Sequence, residues 1–211
     1  MRKYLSFVLL GVLTVVGLGA AAVGIVQSQS GTSLGQAVTN TLGSTNYSEY
    51  LVEKTAQGSQ NASLVYQAPD RLGGWLQSVG RRTYLVIIGT TEYISVTRSA
   101  SATGQPTRFY TQQSPGAQAV DPAHTYLTYW NCHGAPTCPT TRSGSVTTVT
   151  LSQGGQTEKL QFTVTGNVVT KFAAVTPGGT IVLELSEFGT SPKVALPAGA
   201  KIVSLPVPSG N

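Results

Sequence analysis

The residues of this sequence that could do chemistry are few. Gly31-Thr32-Ser33-Leu34-Gly35 has the G-x-S-x-G spacing of a nucleophile elbow, in which a strained strand-to-helix turn exposes a serine hydroxyl. Asp121 stands three residues before His124, and a serine joined to that pair would make the nucleophile, base and orienting acid of acyl transfer. Cys132, His133 and Cys138 offer two thiols and an imidazole to a metal. The eight Asp and Glu residues are scattered along the chain with no evident acid/base pair.

Each of these has a plainer reading. Ser33 follows an uncharged apolar run and a Gln/Ser/Gly spacer, with no strand to present it, so it is expected to cap a helix. Asp121-Pro122 is a natural turn or helix start. The cysteine set lacks a fourth ligand, since the only other histidine is His124. Cys132 and Cys138 therefore read as a small disulfide-closed loop in an oxidising compartment, worth about 2 kcal/mol on the loop-entropy model. There is no H-E-x-x-H, no S-x-x-K and no phosphate-binding loop with its lysine. The expectation is a protein that is not an enzyme and needs neither cofactor nor metal. The sequons at Asn46 and Asn61 are coincidental in a chain whose leader has bacterial character.

Met1-Arg2-Lys3 is followed by an uncharged stretch from Tyr4 to Val26, long enough to cross a bilayer as a helix. Ala20-Ala21-Ala22 also offers a cleavage site, so residues 1–26 are either a signal peptide or a transmembrane anchor. Either way the positive end stays in the cytoplasm, and everything after Gln27 is extracytoplasmic. Residues 27–31 form a spacer, 32–205 one domain and 206–211 a tail. Without Arg2 and Lys3 the net charge of +5 falls to +3, and the nearest approach to a basic patch is Arg81-Arg82. Nucleic acid is excluded as a partner, and the chain is expected to act as a monomer.

Only 10% of residues are charged, against about 25% in ordinary soluble proteins. Polarity comes from Ser, Thr, Gln, Asn and 24 glycines, the residues of turns and pleated surfaces. Leu34, Val38 and Leu42 recur every four residues, predicting a short helix before Gly43. From Tyr47 the period is two. Leu64, Tyr66 and Ala68 form one alternating set before Pro69, and Tyr84, Val86 and Ile88 another. Turn signals about a dozen residues apart between Val146 and Ser186 predict a meander of consecutive hairpins. Between the strand-rich halves, Ser114 to Thr141 holds four prolines, the cysteines and Tyr126, Tyr129 and Trp130. An insertion of this kind is a lid or binding loop, or else a plug for one end of the core.

Leu64-Val-Tyr-Gln-Ala-Pro-Asp-Arg71, then Thr83-Tyr-Leu-Val-Ile-Ile-Gly89 with Glu92-Tyr-Ile-Ser95, then Phe188-Gly-Thr-Ser-Pro-Lys-Val-Ala-Leu-Pro197, resemble the lipoprotein-carrier-like superfamily. That group includes the bacterial lipoprotein localisation factors and the mycobacterial lipid-binding lipoproteins. The resemblance runs loosely from Thr32 to Pro197 and rests on turns and strand ends. No lipobox cysteine is present. It implies a mainly β (α+β) fold: a strongly curved antiparallel sheet, an unclosed barrel, with an N-terminal helix and a lid-like insertion over an apolar cavity. In that family the cavity holds acyl chains, so the expected partner is a lipid or other hydrophobic small molecule. The candidate cavity residues are Trp75, Tyr84, Val86, Tyr93, Tyr126, Trp130, Phe162 and Phe172. The alternative is a cell-surface interaction or sensor domain with a filled core and no ligand.

Overall fold

The computed structural model describes residues 32–95, 98–102, 104–131, 138–153 and 156–203. The leader and spacer expected in residues 1–31, and the tail at 206–211, lie outside them. Among the described residues no helix is long and apolar enough to cross a membrane.

Helix α1 (Leu34–Leu42) begins where expected: Ser33 is its N-cap and its hydroxyl accepts from the Gln36 N–H at 3.2 Å. The elbow motif is thus a helix start, with the serine hydroxyl satisfying an orphan donor of the first turn. Ala37, Val38 and Thr41 are the buried face. Five strands then run in hairpins, β1 (Asn46–Thr55), β2 (Gly58–Gln67), β3 (Arg71–Ser78), β4 (Arg81–Ile88) and β5 (Thr91–Ser95). The short β6 (Arg98–Ser99) and then β7 (Arg108–Gln113) follow. The insertion carries α2 (Ala117–Val120), α3 (Pro122–Tyr126) and a 3₁₀ turn (Leu127–Asn131). A second meander, β8 (Thr140–Ser143), β9 (Val146–Gln153), β10 (Gln156–Thr165), β11 (Val168–Thr176) and β12 (Gly179–Ser186), precedes the two-residue β13 (Lys201–Ile202).

All thirteen strands among the described residues belong to one curved, unclosed sheet. β1 and β12 join the two meanders antiparallel, from Ser48 opposite Ser186 to Thr55 opposite Gly179. The order is β13-β7-β5-β4-β3-β2-β1-β12-β11-β10-β9-β8, with β6 alongside β4. Only β13, which runs parallel to β7, departs from the antiparallel pattern.

Pleat and register fix the inner face. Tyr47, Glu49 and Leu51 of β1 stand opposite Tyr66, Leu64 and Ala62 of β2. Leu72, Ile87, Phe162, Phe172, Leu183 and Leu185 continue that face into one core, covered by α1 and the helical pieces of the insertion. Where β10 and β11 slip register at Thr163/Val164, the Val169 N–H turns to the Thr41 hydroxyl of α1, at 2.8 Å. That hydroxyl donates in turn to the Ala37 carbonyl at 2.7 Å. A buried hydroxyl thereby rescues a buried amide and ties helix to sheet. The outer face is also partly covered. Val194 of the C-terminal segment packs on Gly73, and the Arg71 guanidinium donates to its carbonyl at 3.2 Å.

β3 can bend into the sheet because Gly74, at φ +155°, has no side chain: a Cβ there would sit 2.0 Å from the Ser63 carbonyl oxygen. Gly74→Ala is expected to lower stability by about 3 kcal/mol, from the backbone collision and the unfavourable φ together. Urea unfolding of the variant measures it.

Candidate functional site

The helical pieces of the insertion form a roof over β1, and polar side chains in an apolar setting hold it there. Asp121 ends α2 and is the N-cap of α3, its carboxylate accepting from the His124 N–H at 2.9 Å, with Pro122 in the first helical turn. The same oxygen, Oδ2, accepts from the Tyr47 hydroxyl at 2.7 Å and lies 2.6 Å from His124 Nδ1. At that distance from a carboxylate oxygen, Nδ1 carries the ring proton. Asp121 is completely buried, and the His124 ring leans on Tyr66, which stacks on Tyr47. Burial and the neighbouring Asp121 push the Tyr47 phenol far above its ordinary range, so it acts only as a neutral donor.

Beside Asp121 lies Glu49, 3% exposed. Neither of its carboxyl oxygens, nor Asp121 Oδ1, meets a hydrogen-bond partner of ordinary geometry, although the Ala123 backbone lies close enough to Glu49 to favour its charged form slightly. Two bare carboxylates can only accept. One proton makes them partners, and burial, then the charge and hydrogen bond of Asp121, raise Glu49 well above its ordinary value of 4.5. Burial beside Asp121 therefore favours the protonated form of Glu49, which could donate to Asp121.

Further along the same face, the Tyr126 hydroxyl donates to Glu53 Oε1. The Tyr126 ring stacks on Phe172 at 5.7 Å and 10°, and Phe162 meets Phe172 at 5.2 Å. Trp130 lies against α1: a Cβ on Gly35 would be 2.8 Å from the indole. The second glycine of the elbow motif thus makes room for an aromatic ring. Tyr126 of the roof thus meets Phe172 and, through it, Phe162 of the sheet, while Trp130 on the next turn packs on α1.

The other four candidate residues are elsewhere. Trp75 pairs with Tyr84, and Val86 with Gly73 and Tyr93, on the face opposite Leu85 and Ile87. Tyr84, Val86 and Ile88 do alternate as read, but the set that joins the inner core is Leu85 and Ile87, while Val86 is buried on the outer side. β4 is apolar on both faces because the C-terminal segment covers the outer one, so alternation gives no sign. The eight residues therefore form two groups on opposite faces of the sheet. The Glu49–Asp121 pair was missed, although Tyr47, Glu49 and Leu51 share a parity that sends the acid inward.

Ser33, exposed and capping α1, is engaged with Gln36, while His124 is engaged with Asp121 and Tyr47. The site thus pairs an acid and an imidazole with a phenol held neutral, an arrangement that fastens the helical roof to β1. Among the described residues no cluster of three or more His, Cys, Asp or Glu has the geometry to hold a metal. Cys138 is disulfide-bonded, and Cys132 lies outside the described residues. A pocket of about 310 Å³ at the Thr91–Gln113 end of the β5–β7 pair is lined by Thr90, Thr91, Thr111, Gln112 and Gln113, a lining unsuited to acyl chains.

A carboxyl whose folded pKa is raised binds more protons folded than unfolded, so its contribution is complete below pH 4.5 and is lost as pH rises. Stability is expected to fall above pH 4.5 by up to about 1.4 kcal/mol per pH unit for this one proton. Glu49→Gln, neutral at every pH and still a donor, is expected to flatten that slope and to be more stable than the parent at pH 8. Urea unfolding at a series of pH values decides it, and parallel slopes would refute the assignment.

No protein-family model matches the chain, and no curated protein matches it. Among solved structures it is similar to LprF from Mycobacterium bovis, at 13% identity over 80% of this chain and 95% of that one, with a TM-score of 0.43. It is also similar to the Mycobacterium tuberculosis lipoprotein LppX, at 11% identity over 77% of this chain and 96% of that one, with a TM-score of 0.47.

Proposed function

We propose that this domain binds a hydrophobic ligand bearing an acyl chain, between the inner face of the sheet and the helical roof, at the extracytoplasmic side of a membrane. The observation that carries the reading is the construction of the roof. An apolar sheet face with a cluster of aromatic rings is covered by short helical pieces, not by a second sheet. These are fastened at a few points: Tyr126 to Glu53, Tyr47 and His124 to Asp121, and Trp130 against Gly35. Elements of that kind open locally at less cost than a sheet does. The sequence resemblance to acyl-chain carriers points the same way.

Binding needs no activated group. Each buried methylene contributes about 0.8 kcal/mol, so ten offer about 8 kcal/mol before ordering costs. Tyr126, Trp130, Phe162 and Phe172 would line the chain's path, and the polar node at Asp121 would lie toward its head. Residues 1–26 would keep the domain at the membrane, retained as an anchor or removed, and a Cys132–Cys138 bond would close the end of the insertion. The protein acts here as a binding module, not as an enzyme.

The chain contains two tryptophans, Trp75 on the outer face and Trp130 under the roof. In Trp75→Phe, a long-chain fatty acid is expected to shift Trp130 emission saturably. In Trp130→Phe the same titration should leave Trp75 emission unchanged. Native mass spectrometry of the purified chain should show near one-to-one lipid. A clean apo mass and a silent Trp130 would sink the proposal and favour an interaction domain with a filled core.

A further inference from the structure

On the inner face, hydrogen-bond acceptors outnumber donors at one place. Glu49 stands between Leu64 of β2 and Leu185 of β12, its partners across the sheet, and is 3% exposed. Asp121, wholly buried, faces it from the junction of α2 and α3. The donors that meet Asp121 crowd a single oxygen. The Tyr47 hydroxyl at 2.7 Å, His124 Nδ1 at 2.6 Å and the His124 N–H at 2.9 Å all go to Oδ2. Oδ1 and both Glu49 oxygens are left without a partner of ordinary geometry.

Buried acceptors without donors are unfavourable, and native folds rarely keep them without a reason. A proton shared by the two acids joins one Glu49 oxygen to Asp121 and supplies nothing to the other. The Ala123 backbone beside Glu49 favours the charged form instead. No basic side chain is at hand, since the charged residues buried among those described are Glu49 and Asp121, with no lysine or arginine. The His124 ring is already engaged with Oδ2. Nor does any group of acids, histidines and cysteines among the described residues have the geometry of a metal site.

Three acceptors around a negatively charged pair match a cation that carries three directional donors. We propose that the head of the bound lipid is a primary ammonium, its N–H groups donated to Glu49 and to Asp121 Oδ1 beneath the roof. The inference rests on the reading that the acyl chain lies between sheet and roof, and it names the head which that position selects. The ammonium takes the place of the shared proton, so the pair with its guest keeps the same net charge. A carboxylate or phosphate head is repelled here, and a hydroxyl brings one donor and no charge. Of the other titratable groups that face the pair, Tyr47 comes from β1, Tyr66 from β2 and His124 from the insertion. Glu53, further along the same face of β1, is engaged by Tyr126.

The test is Trp130 emission of the Trp75→Phe chain, titrated with palmitoyl amides that differ only at the head: aminoethyl, hydroxyethyl or trimethylammonioethyl. The aminoethyl amide is expected to bind about tenfold more tightly than the hydroxyethyl one, the lower end of what a close charge pair gives across an interface. The trimethylated head has the same charge and no N–H, and should lose that advantage. Because Glu49 gives up its proton to the ammonium, the advantage should grow with pH, by up to about tenfold per unit. Glu49→Gln, which keeps the shape of the side chain, should abolish both the advantage and its growth with pH. Equal affinity for the aminoethyl and hydroxyethyl heads at pH 8 overturns the head assignment and leaves the binding face standing. So does an advantage that Glu49→Gln leaves unchanged. Silence with all three heads overturns the assignment together with the reading on which it rests.

Discussion

A buried contact between two acids ties the roof of this fold to its sheet. Glu49 and Asp121 face each other in an apolar interior, one from the middle strand of the sheet and one from the junction of α2 and α3. As two carboxylates they would repel; as an acid and its acceptor they form a bond across the core. Around it Tyr47 and His124 complete the coordination of Asp121. The position of the roof over β1 follows from this node, because apolar contacts alone fix no register between short helical pieces and a smooth sheet face.

β1 is the natural place for that node. It pairs with β2 on one side and β12 on the other along nearly its whole length, so its register is pinned from both sides. Its inner positions alternate Tyr47, Glu49, Leu51 and Glu53, giving a polar group at three of four places on a face that is otherwise apolar. Tyr47 and Glu49 engage Asp121, and Glu53 engages Tyr126 one helical piece further on. The strand works as a rail with two fastening points, and the aromatic rings of Phe162, Phe172 and Trp130 fill the span beside it.

Much of this was legible from the residues, and the limits have physical causes. Ser33 capping α1, the consecutive hairpins of the second meander and the helix start at Asp121-Pro122 follow from local chemistry, which needs no knowledge of distant chain. Which face of β4 enters the core does not follow, because the covering Val194 lies over a hundred residues away and makes both faces apolar. The inward course of Glu49 was the one omission with a local remedy. Its parity with Tyr47 and Leu51 points inward, and only the habit of placing carboxylates outside argues otherwise.

The same contact gives the roof a chemical character that an apolar lid would lack. A carboxyl that is neutral only because it is buried regains its ordinary acidity when water reaches it. Any opening that hydrates Glu49 above pH 4.5 therefore releases a proton that the closed form keeps, and by linkage higher pH favours the open form. The repulsion between Glu49 and Asp121, once both are charged, acts against reclosure until a proton returns. Burial of an acid against an acid, costly as a device for stability alone, would couple any opening of the proposed binding face to pH.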